Sequence, residues 1–228
     1  MSPEVSGMWA IPLLAFIISL ALTADMARQY WRKRQAHQLA YAAGLALFSL
    51  AVLTEFIATA FGWSPWMYKL YYYTGIVLVP VLASGSVFLL RRKGLALVFF
   101  LYVLVTALLM LLQLIVAPVD VDRLPDKGLT VGGSAMSEAV RQYSFWLSGV
   151  GGIVLLAVSL YSFIRTRYWG NLFIFFGALV MSAGGRLAVA GLPALLPLSE
   201  LVGIILLYIG VARHPGSRRQ TARSMPDA

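Results

Sequence analysis

The stretch 95–117, LALVFFLYVLVTALLMLLQLIVA, carries no charge and few polar side chains, among them Tyr102, Thr106 and Gln113. A bilayer span needs about 20 such residues. A backbone surrounded by lipid must satisfy its own hydrogen bonds, which leaves the α-helix as the structure for a single segment. Comparable runs place further helices at 8–25, 39–61, 67–90, 140–164, 169–190 and 197–213. The composition agrees: 60% of the residues are hydrophobic and 12% charged, where a soluble domain carries about 25% charge. The expected fold is all-α, a polytopic membrane protein of seven transmembrane helices. One domain covers 1–213, the stretch 118–139 is a Pro-, Gly- and Asp-rich outer loop, and 214–228 is a basic tail.

The basic residues give a direction. Arg28, Arg32, Lys33 and Arg34 follow span one; Arg91, Arg92 and Lys93 follow span three. Arg165 and Arg167 follow span five; Arg213, Arg218, Arg219 and Arg223 follow span seven. These are 13 of the 18 Lys and Arg residues. Cytoplasmic loops hold the excess of positive charge, so the N-terminus is expected outside and the C-terminus in the cytoplasm, as an odd span count requires. MSPEVSG lacks the basic start of a signal peptide, so span one is expected to be retained. The expected location is a bacterial inner membrane, crossed several times. The net charge of +9 then reflects anchoring against anionic lipids rather than nucleic acid, for which the tail has no aromatic stacking platforms.

Several chemistries lack their residues. There is no cysteine, hence no thiolate nucleophile or disulfide. The two histidines, His37 and His214, fall in basic segments and do not form a haem or zinc site within the membrane. Asp120, Asp122 and Asp126 are spaced as solvated loop charge. A retinal protein needs a lysine in its last span, and LSELVGIILLYIG has none. No cofactor, metal or catalytic activity is expected; Glu55 with Glu200 as acid and base is the single enzymatic alternative.

The polar residues that do enter the apolar runs gather toward the outer ends. Glu55 lies about 9–10 Å below the end of span two at the helical rise. Arg186 and Glu200 lie about one turn into spans six and seven. Gln113 ends span four, Arg141 and Gln142 begin span five, and Lys69 with Tyr71, Tyr72 and Tyr73 begins span three. Carboxyl groups at membrane depth are costly unless paired, protonated or hydrated, and they face the bundle interior. An arginine between two carboxylates can pair with them and still meet a ligand. The expectation is an outward-facing polar pocket with Glu55, Arg186 and Glu200 at its core. Lys69, Tyr72, Tyr73, Gln113 and Arg141 are its lining candidates. The ligand is small or amphiphilic. A register-fixing ion-pair network without a ligand, a transporter or channel, and a structural partner subunit stay open beside it.

The inner half offers Ser49, Ser84, Ser86, Thr106, Ser159, Tyr102 and Tyr161 but no acidic or histidine relay, which opposes ion-coupled transport. Asp25 is expected at the inner helix end. Trp63, Trp66 and Tyr68 are expected at the outer interface. Ser148–Gly152 and the small residues of Gly177–Arg186 predict close packing of spans five and six, with homodimerisation as the alternative. Pro80 is expected to bend span three.

Glu55, the turn at Gly62–Pro65, Trp66, Tyr72-Tyr73-x-Gly75 and Pro80 together resemble the seven-helix sensor region at the N-terminus of some bacterial histidine kinases. The resemblance covers residues 55–80. It implies an external N-terminus and a ligand-sensing role, with an output domain after the last span. Here about 15 residues follow span seven, so the resemblance implies a stand-alone sensor-like module that signals through a partner, or one repurposed for another role.

Overall fold

A chain this apolar ends its helices where glycine, proline or a left-handed residue intervenes. The computed structural model describes residues 10–90, 92–124, 132–189, 192 and 195–212. Helix α1 spans Ala10–Lys33, well past the expected end at 25. The segment DMARQYWRK contains neither glycine nor proline and continues the helix until Arg34 turns left-handed, φ 51°. Helix α2 spans Ala36–Phe61 and stops at Gly62, φ 109°; Pro65 occupies the first position of α3, Pro65–Leu89. Helix α4 covers Lys93–Val116, α5 Glu138–Thr166, α6 Trp169–Val189 and α7 Leu195–Ala212. Six helices are long and apolar enough to cross a bilayer, and a seventh, Leu195–Val211, is apolar but shorter. The chain is therefore an all-helical, multi-pass membrane protein. The tail 214–228 lies outside the described residues.

Helices α1, α2, α3, α5, α6 and α7 touch in that order, and α7 closes the ring against α1. Helix α4 stands outside, against α3 and the start of α5. Its outer face, including Leu97, Leu101, Leu104, Leu108 and Leu112, is exposed, as suits a surface for acyl chains.

Small residues set the seams, but not the pair expected. A side chain at Gly177 would meet the Gly203 carbonyl oxygen at 2.7 Å, and one at Gly170 the Gly210 carbonyl at 2.8 Å. One at Gly184 would overlap Ser199. The glycines of span six therefore seat α7 in antiparallel register, rather than α5. Gly151 of α5 serves α3 instead: a Cβ there would lie 2.7–2.8 Å from Pro80. Pro80 also leaves the Ile76 carbonyl without its helical donor, and Ser148 Oγ supplies one at 3.0 Å. Residues Phe145–Gly149 form a π turn inside α5, and the Tyr102 hydroxyl donates to the Trp146 carbonyl there.

Polar pairs tie the opposite half of the ring. Tyr41 and Ser86 hydroxyls lie 2.9 Å apart, and Thr23 and Ser49 hydroxyls 3.2 Å apart. Asp25 is not a helix-end residue. It sits within α1, where its Oδ2 accepts from Tyr208 of α7 at 2.5 Å and from Gln29 at 3.0 Å.

The outer loop is partly ordered by these helices. Val119 and Met136 form an isolated antiparallel bridge, Val121–Arg123 a short 3₁₀ turn, and Arg123 pairs with Asp120 at 2.8 Å. Asp126 lies outside the described residues. Tyr68, expected at the interface, is fully buried and donates to the Gly132 carbonyl. Trp66 does stay exposed, and Trp63 meets Tyr68 and Tyr71 edge-on at centroid distances of 5.9 and 5.4 Å.

Candidate functional site

The ring encloses a cavity of about 320 Å³, toward the lower end of the 300–1,000 Å³ or so typical of ligand sites. Phe48 and Ala51 of α2 and Tyr71, Tyr72 and Gly75 of α3 line it. So do Ser148 and Gly152 of α5, Met181, Ser182 and Gly185 of α6, and Leu196 and Glu200 of α7. Leu82, Leu155 and Leu207 line it farther from the loops. Gly132 and Gly133 of the α4–α5 loop also contribute to the wall; a Cβ at Gly133 would lie 3.1 Å from Tyr72. The lining is mainly apolar, with Glu200, Tyr71, Tyr72, Ser148 and Ser182 as its polar points. The polar pocket expected from the sequence is thus an oily one with a polar end.

Three glycines hold this space open. A Cβ at Gly75 or Gly185 would meet nothing within 4 Å, and one at Gly152 only Val79 at 3.9 Å. These differ from Gly151, Gly177 and Gly203, where another backbone already fills the position. Glycine costs about 1 kcal/mol against alanine inside a helix, and at these three positions no neighbour requires it.

Glu55 is fully buried, and neither of its carboxyl oxygens has a hydrogen-bond partner. Glu200 Oε2 is likewise buried and unpartnered. The two carboxyls lie against one another between α2 and α7, close enough to interact directly although without good hydrogen-bond geometry. Glu200 reaches the cavity wall, while Glu55 sits behind it. Buried carboxyls without a counter-charge are among the costliest groups a helical bundle can hold.

The arginine expected between them is elsewhere. Arg186 is exposed, and among the described residues it forms no ion pair. Helix α6 presents Ala178, Met181, Ser182 and Gly185 to the cavity, a stripe at helical spacing; Arg186 is about 100° further round than Gly185. The three-membered ion network is therefore not formed. Lys69 leaves the site as well, its Nζ donating to the Ile115 carbonyl at 3.0 Å. Tyr73 turns to α4, its hydroxyl 3.4 Å from the Ala107 carbonyl. Gln113 is exposed on α4. Arg141 is exposed at the start of α5, within electrostatic reach of Tyr68 and Tyr72. Of the eight expected residues, Glu200 and Tyr72 line the cavity and Glu55 backs it.

Sequence reasoning missed Tyr71, Ser148, Met181, Ser182 and the three open glycines as wall residues. Spacing gives one signal for α6, since positions 178, 181, 182 and 185 are all small or flexible. The Tyr71–Tyr73 run gives none, because three consecutive tyrosines point in three directions on a helix.

No protein-family model matches the sequence, and no curated protein matches it.

Proposed function

We propose that this chain is a seven-span, receptor-like protein of a bacterial inner membrane, binding a small or amphiphilic ligand in the central cavity. The observation that carries the reading is the juxtaposition of a glycine-held cavity with a buried carboxyl pair that has no counter-charge among the described residues. Neither feature stabilises an empty bundle: the space forfeits packing contacts, and the acids lack a counter-charge. A guest supplies both. The apolar residues Leu82, Leu155 and Leu207, which line the part of the cavity farther from the loops, favour binding over passage. Nothing in the lining assembles a nucleophile with a base, so the role assigned is recognition rather than catalysis. The distribution of Lys and Arg supports an external N-terminus, with the cavity's acidic end toward the extracytoplasmic side.

Gly152→Leu tests the site. Its side chain enters the cavity without meeting a backbone, so the variant is expected to fold, melt no lower than the parent, and lose binding of octylammonium and octanol in zwitterionic nanodiscs. Retained binding of both probes in a folded Gly152→Leu protein overturns the assignment. Saturable solute flux in liposomes would replace the receptor reading with transport. Because the chain has no cysteine, single cysteines at the exposed positions Trp66 and Arg167 report sidedness: reagent from outside is expected to reach only the first.

A further inference from the structure

We infer that the ligand is an amine: a cationic head seated at Glu200 and Glu55, with a single apolar body in the cavity below. The inference deepens the receptor reading and rests on it. Three observations carry it.

The first is the acids themselves. Glu55 is fully buried with both oxygens unpartnered, and Glu200 adds a third unpartnered buried oxygen at the cavity wall. Among the described residues, neither carboxyl forms an ion pair.

The second is the fate of the protein's own cations. Arg186 is exposed and Lys69 is held by the Ile115 carbonyl. Arg141 acts on Tyr68 and Tyr72 rather than on the acids. A site for an anionic ligand would bring at least one of these cations to the cavity wall; all three lie outside it. Among the described residues the pair thus has no counter-charge, and a cationic guest would provide one.

The third is shape. Below Glu200 the wall turns apolar through Ala178, Met181, Leu155 and Leu207. A volume of about 320 Å³ lies near the lower end of ligand sites and suits one small alkyl or aromatic body rather than a two-chain lipid. Tyr71 and Tyr72 line the same end as Glu200, and aromatic rings are suitable neighbours for a cation.

The test compares octylammonium, octanol and octanoate binding to the full chain in zwitterionic nanodiscs, each corrected for partitioning into empty discs. The wild type is expected to bind octylammonium at least about tenfold more tightly than octanol, with octanoate weakest; one buried charge pair accounts for that ratio. Glu200→Gln is expected to remove the preference while leaving octanol within about twofold, since a desolvated charge pair is lost but the apolar contacts remain. Glu55→Gln should reduce the preference in the same direction. The wild-type comparison decides the matter even if both variants fail to fold. Equal binding of octylammonium and octanol overturns the amine assignment and leaves the cavity as a receptor site. A preference for octanoate overturns it in favour of an anion. If wild-type protein binds none of the three, the receptor reading falls with it.

Discussion

Ser148 of α5 donates to the Ile76 carbonyl of α3 at 3.0 Å, the acceptor that Pro80 strips of its helical donor. One helix thereby completes the hydrogen bonding of another, and Gly151, one turn along, lets the two backbones close up against Pro80. The proline functions as a joint between helices.

Ser148→Ala should cost about 1 kcal/mol, since a carbonyl shielded from water loses its only donor. In a Pro80→Ala background the helix regains its own bond and the same substitution should cost nearly nothing. Thermal unfolding of the four proteins measures the coupling. Equal costs in both backgrounds would show that Ser148 acts by other means.

The two classes of glycine should respond in opposite senses. Gly177→Leu drives a side chain into the Gly203 carbonyl and the Leu207 backbone nitrogen and should destabilise by about 2 kcal/mol or more. Gly75→Ala meets nothing within 4 Å and should stabilise by about 1 kcal/mol through helix propensity alone. Melting temperatures in one detergent compare them directly.

Tyr208→Phe removes the hydroxyl that Asp25 accepts at 2.5 Å. The carboxyl keeps Gln29 at 3.0 Å, so the expected loss is about 1–3 kcal/mol rather than a collapse. Asp25→Asn retains an acceptor and should lose less than Asp25→Ala. The order of the three melting temperatures checks the assignment.

Tyr68→Phe breaks the bond to the Gly132 carbonyl that pins the α4–α5 loop to α3. Amide exchange should quicken at Asp120 and Met136, whose N–H groups bond to Ala135 and Gly133 at 3.0 and 3.1 Å. Exchange in α6 and α7 should stay unchanged.

The sequence discloses depth more readily than direction. Apolar length located every helix except the end of α1 to within a few residues, because the bilayer sets that length and little else competes. The end of α1 was the largest error, since a helix outlasts its apolar run when nothing in the sequence stops it. Glu55 and Glu200 could be placed at one level by counting, and their contact agrees with that count. Arg186 shares the level but not the azimuth, because which way a side chain points depends on which neighbours the helix packs against. The ring order, and with it the exclusion of Gln113, Lys69 and Tyr73 from the wall, follows from how the seams fit. Glycine pairs such as Gly177 and Gly203 show that fit only once both helices are in place. The π turn at Phe145–Gly149 has no signature in the residues that form it.

With carboxyls at one end and Leu82, Leu155 and Leu207 at the other, the chamber has a fixed length as well as a fixed polarity. In the binding role proposed above it would act as a ruler: a guest's tail would meet those leucines, and each further carbon would lift its head away from the acids. Homologous series should therefore show a chain-length optimum followed by a fall, where a site open to the acyl chains of the bilayer would show a steady rise.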